Sequence, residues 1–98
     1  LHFEFGYPPT VNDAFMADLV RRCAADSVGA DKVFEPEPTM GGEDMSYFLQ
    51  QAKGCYFFLG VGRPGGAPLH NPKFDFTEEV LLLGVETFCR VAQELPAQ

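Results

Sequence analysis

Few residues of this chain have the types and settings that chemistry requires. His70 lies in GAPLHNPKFDF, residues 66–76, between Pro68 and Pro72, in a segment too stiff for a helix and too irregular for a strand. A neutral imidazole there could bind a divalent ion; it could equally serve as a surface or hydrogen-bonding group. Zinc needs three or four protein ligands, and the only other histidine is His2, so spacing alone leaves both readings open. In TMGGEDMSYF, Gly41 and Gly42 let the backbone bend toward a ligand, and a helix start then presents amides beside Glu43 and Asp44. A site could form there, with carboxylates that bind a cation or accept hydrogen bonds from supporting groups, or they could simply match the positive helix end.

Two further patterns carry less. GVGRPG, residues 60–65, matches G-x-G-x-x-G, but Pro64, Pro68 and Pro72 keep the chain irregular up to Thr77, so no helix follows to hold a pyrophosphate. It reads as a flexible loop. Nucleophilic catalysis has no signature either: Ser46 falls inside an expected helix, and no cysteine has a charged setting that favours the thiolate.

These residues must be positioned by a small framework. The 98 residues suit one domain or a piece of a larger one, and the start at Leu1 without a charged and apolar leader is expected of a cut inside something longer. A hydrophobic content of 46% with ten Phe argues for a packed interior. No apolar run approaches the roughly 20 residues that cross a bilayer. Seven basic against fourteen acidic side chains, a net charge of -7, argue against nucleic acid and anionic membranes as partners. Arg21 and Arg22, the one adjacent basic pair, read as a solvated helix face. Cys23, Cys55 and Cys89 are set among apolar residues and are expected as buried thiols in a reducing, cytoplasmic compartment.

Periodicity predicts strand, helix, short strand, helix, strand, helix. Leu1, Phe3 and Phe5 alternate with His2 and Glu4; KVFEPEP is a short strand at most; and Cys55 to Val61 reads as an interior strand covered on both faces. The first helix runs from an Asn12 cap to Gly29, with Phe15, Met16, Leu19, Val20 and Cys23 as its apolar stripe. The second follows Gly42 and ends by Gly54, and the third runs from a Thr77 cap to a stop before Pro96, with Gly84 marking a close contact. The predicted class is α/β, helices packed on a small sheet.

Taken together, GYPPTVND, MGGEDMSYFLQ, FFLGVG and PLHNPKFDFTEEVLLLGVETF fall in the order and spacing of one enzyme family. Over nearly its whole length the chain resembles the C-terminal part of metal-dependent amidohydrolases and metallopeptidases of the aminoacylase, hippurate hydrolase and carboxypeptidase G type. The resemblance implies a zinc-aminopeptidase-like catalytic domain with an inserted lid or dimerisation domain. Residues 1–8 would be the last strand of the insert and 9–98 the C-terminal portion of the catalytic domain. It implies hydrolysis of N-acyl amino acids or short peptides by two divalent ions per full-length site, with zinc, manganese, cobalt and nickel not distinguished, and a homodimer as one assembly of the full-length enzyme. His70 matches the last metal ligand, with its prolines as rigid supports; Asn71 or Asp75 could partner it, and the sequence alone assigns neither. Gly41, Gly42, Glu43 and Asp44 match a substrate-pocket segment. The other ligands and the glutamate base have no counterpart here, so the chain alone is expected to be inactive. The alternative is a stand-alone interaction or regulatory module of the same fold.

Overall fold

The structure, a computed structural model, describes residues 1–96. Three helices carry it: α1 (Ala14–Val28), α2 (Met45–Gln51) and α3 (Val80–Glu94), with a single 3₁₀ turn at Ala30–Lys32 after α1. The chain divides into two compact units, Leu1–Phe57 and Phe58–Gln98.

In the first unit, α1 starts one residue later than predicted. Asp13 is extended and its Oδ2 accepts the Met16 amide at 3.0 Å, so it supplies the cap expected of Asn12. Leu19, Val20 and Cys23 are buried, whereas Phe15, on the predicted stripe, stays 56% exposed. The helix closes at Gly29, whose φ of 93° is open to a residue without Cβ and whose N–H donates to Ala25 O. Arg21 and Arg22 lie exposed beside Asp18, the solvated face that the pattern predicts. The short α2 follows the Gly41–Gly42 bend, and its buried Ser46 donates from Oγ to Glu43 O at 2.7 Å.

Asn12, released from capping, does something else. Its Oδ1 accepts the Tyr56 amide at 2.8 Å and its Nδ2 donates to Tyr56 O at 3.0 Å, while Asp13 N donates to Gly54 O at 2.9 Å. A side-chain carboxamide has the donor and acceptor of a peptide group, so one residue meets both main-chain groups of Tyr56.

That arrangement bears on the predicted α/β class, which the structure overturns: among the described residues there is no strand and no sheet. Cys55–Val61, Leu1–Phe5 and the segment around Phe34 are neither helix nor strand. Alternating or continuous apolar residues favour extended backbone, yet a strand exists only when a neighbouring strand takes its N–H and C=O groups. At Tyr56 a side chain takes them. Phe3, Phe5, Phe34 and Phe58 are exposed rather than sealed inside a layer.

In the second unit, α3 begins at Val80. Thr77 takes part through its backbone, its carbonyl accepting from Val80 N and its amide donating to Val61 O, and Glu79 at the cap position makes no side-chain capping bond. Gly84 is buried, and a Cβ there would lie 3.1 Å from Leu59 Cδ2, which is the close contact its position in the helix predicts. The three thiols differ: Cys23 is buried and Cys55 half-buried, but Cys89 is exposed, contrary to the expectation that all three are core.

The Asn12 clamp predicts a graded loss of stability. Asn12→Ala removes two hydrogen bonds and should lower the unfolding free energy by about 1–2 kcal/mol. Asn12→Asp keeps the acceptor and loses the donor, so its loss should be smaller. Urea unfolding of the three chains, followed by circular dichroism, checks the order.

Candidate functional site

Gly41, Gly42, Glu43 and Asp44 lie in the first unit. The loop is tight because the Tyr7 ring lies against Gly42, where a Cβ would stand 3.0 Å from Tyr7 Cδ2. Tyr7 in turn meets Tyr47 of α2 edge to face, with centroids 5.8 Å apart. Glu43 stitches the loop to its surroundings. Its Oε1 accepts the Met45 amide at 3.2 Å, and its Oε2 accepts the Tyr56 phenol at 3.1 Å. The Met45 amide is the main influence holding the Glu43 carboxyl below its ordinary value; burial opposes it, and hydrogen bonds from Asp44 and the Tyr56 phenol add smaller support. The Tyr56 phenol is pushed up, first by burial and then by the hydrogen bond and charge of Glu43. Glu43 therefore does more than match the helix dipole: it ties α2 to the extended segment that Asn12 clamps.

His70 lies in the second unit, exposed, at φ 68°. Among the described residues it is the one non-glycine in left-handed backbone, a region that only a few per cent of such residues occupy. A turn holds it there: Asn71 N donates to Pro68 O at 3.2 Å and Phe74 N to Asn71 O at 2.9 Å. Asn71 Oδ1 accepts the Lys73 amide at 2.8 Å. Asp75 Oδ1 accepts the Phe76 amide at 2.8 Å, and Oδ2 meets Arg63 Nη2 at 2.5 Å. The Phe76 amide first and Arg63 second hold the Asp75 carboxyl below its ordinary range. Asn71 and Asp75, candidate supports of the imidazole, thus bond to backbone amides and to Arg63 rather than to His70. Among the described residues, no hydrogen bond, ion pair or aromatic contact to the His70 ring is found.

Sequence reasoning missed Tyr7, Tyr56 and Arg63. Each acts on a residue distant along the chain, and no spacing rule links them. The glycine pattern at 60–65 continues into turns rather than a helix, so no helix start follows it to hold a phosphate.

Among the described residues, no group of three or more His, Cys, Asp or Glu could hold a metal ion. An imidazole such as that of His70 is a ligand type suited to zinc and its neighbours, and by itself would fill one coordination position and not a whole site. No helix among the described residues is long and apolar enough to cross a membrane.

Comparison with known proteins gives these features a setting. The model of peptidase family M20/M25/M40 matches residues 1–94. Thermostable carboxypeptidase 1 of Saccharolobus solfataricus is 42% identical over 81 residues, 80% of this chain and 20% of that protein. IAA-amino acid hydrolase ILR1-like 4 of Arabidopsis thaliana is 32% identical over 89 residues, 88% of this chain and 20% of that protein. The N-acetyldiaminopimelate deacetylase of Streptococcus suis is 37% identical over 81 residues, 83% of this chain and 21% of that protein. The chain thus spans roughly a fifth of the length of these relatives. No solved structure matches it significantly.

The Glu43 geometry predicts an acid dependence. Because its folded pKa is lowered, its contribution to stability is present above the ordinary 4.5 and is lost as the pH falls through the lower folded value. Glu43→Gln should therefore reduce the melting temperature near neutral pH and lose this disadvantage in acid. Tyr56→Phe should show part of the same pattern. Thermal unfolding across that range measures both.

Proposed function

Because the chain belongs to peptidase family M20/M25/M40, we propose that it is a segment of a divalent-metal-dependent hydrolase that cleaves the amide bond of N-acyl amino acids or short peptides. His70 supplies one metal donor in that enzyme, and Gly41, Gly42, Glu43 and Asp44 form part of the pocket wall. Residues 1–8 end an inserted lid or dimerisation domain, and residues 9–98 belong to the catalytic domain. The printed names of the relatives, a carboxypeptidase, an amino acid hydrolase and a deacetylase, support the reaction class.

The observation that carries the reading is His70 itself: an exposed imidazole, engaged by no described residue, in backbone that is unfavourable without a turn to hold it. Strain at an exposed, chemically capable side chain is most simply explained by what the side chain binds. When bound, the metal ions would polarise the scissile carbonyl and activate water. This chain's part is to keep the His70 ring available and to keep the Gly41–Asp44 backbone rigid. Glu43 performs the second task through Met45 N and Tyr56, so its role is to shape the wall rather than to move protons. The compartment is read as cytoplasmic, supported by three cysteines outside any disulfide.

In the full-length enzyme, His70→Ala should lose bound metal and lower turnover by more than the roughly 100-fold that loss of a supporting group alone produces. Metal analysis and hydrolysis of an N-acyl amino acid measure both, and normal metal content in that variant would remove His70 from the site. The 98-residue chain alone should show no metal-dependent hydrolysis, since its described residues gather no group of three or more donors.

A further inference from the structure

The segment that carries His70 is closed at its base by a charge pair. Arg63 Nη2 meets Asp75 Oδ2 at 2.5 Å, so the side chains on either side of the Pro64–Phe74 stretch are joined. Asp75 is held at both oxygens, because Oδ1 accepts the Phe76 amide. One step further out, Thr77 N donates to Val61 O at 3.2 Å, a backbone tie that runs parallel to the ion pair. Inside the closure, Gly66 N donates to Arg63 O at 3.0 Å, which turns the chain immediately after the arginine. The turn from Pro68 to Phe74 then sets His70 at φ 68°. Phe74 and Phe76 stack as tilted rings 6.2 Å apart across the carboxylate's position in the chain.

We infer that the Arg63–Asp75 pair is a latch that holds the His70 segment in its binding form, which makes both residues positioning residues for the proposed metal donor. The inference rests on the function proposed above. The physical argument is one of populations. Left-handed backbone is a minor state for a histidine in an open loop, so a segment free at its base would let residue 70 relax to negative φ and swing the imidazole away. Apparent affinity falls in proportion to the fraction of chain in the competent form. Closing the base restricts that escape. The latch is exposed, with side chains 48% and 68% accessible, so its effect is modest and sensitive to salt.

The test uses the full-length enzyme, stripped of metal and titrated with Zn²⁺ by calorimetry, beside kcat and KM at limiting and saturating Zn²⁺. Arg63→Ala and Asp75→Asn, the latter able to keep the Phe76 amide bond, should each weaken Zn²⁺ binding by about two- to fivefold at low salt. The double variant should be no worse than either alone, and Arg63→Lys should recover part of the loss. Saturating Zn²⁺ should restore kcat with KM unchanged, and high salt should bring wild type down toward the variants. A purely structural role would lower the melting temperature of the metal-free protein and would not be rescued by Zn²⁺. His70→Ala, run in parallel, separates the two readings. If it loses Zn²⁺ while Arg63→Ala and Asp75→Asn bind it as wild type does, the latch is wrong and the donor stands. If His70→Ala binds Zn²⁺ normally, both fall.

Discussion

A backbone amide and carbonyl that no strand pairs must find another partner, and in this chain a single carboxamide meets both groups of Tyr56. Asn12 gives Tyr56 the two bonds that a neighbouring strand would otherwise provide. Extended backbone is thereby tied to the start of α1 without a sheet. The same residue is then unavailable as a cap, and Asp13 takes that place. The Tyr56 phenol reaches Glu43, so the clamp, the cap and the glycine loop form one connected set of contacts within the first unit.

Carboxylates play a consistent part in both units. Glu43, Asp13 and Asp75 each accept a backbone amide close by in sequence, and Glu43 and Asp75 each use their second oxygen for a side chain farther away. A charged acceptor on an amide is stronger than a neutral one, which suits loops that have no ladder to rely on. The acidic side chains thus serve local construction. The left-handed residue in the His70 segment is held amid such bonds, between two prolines whose fixed φ limits how the neighbouring backbone can yield.

The helices were legible in the sequence because their signals are local. Leu19, Val20 and Cys23 recur at helical spacing and are buried together, Gly29 ends α1, and Gly84 meets Leu59 at the distance that a missing side chain permits. The lack of strands among the described residues was not legible, because whether an extended run becomes a strand depends on a partner that its own residues do not name. Cap identities slipped for a related reason: Asn12 and Asp13 are both good caps, and the choice was made by Tyr56, far along the chain. For the candidate site, sequence pattern picked out His70 and the residues from Gly41 to Asp44, and it offered Asn71 or Asp75 as supports of the imidazole without assigning either. Their oxygens go instead to the amides of Lys73 and Phe76, and Arg63, which closes the segment, carried no motif at all.

The graded exposure of the three thiols makes this chain its own reporter. Cys23 is sealed within α1's buried face, Cys55 is half-covered with its thiol pushed up mainly by burial, and Cys89 stands open on α3. An alkylating reagent would therefore meet Cys89 at once, Cys55 slowly because little of it is thiolate, and Cys23 only when the first unit opens. The timing of Cys23 modification would clock the opening of the first unit, with Cys89 as the fast reference and no label introduced.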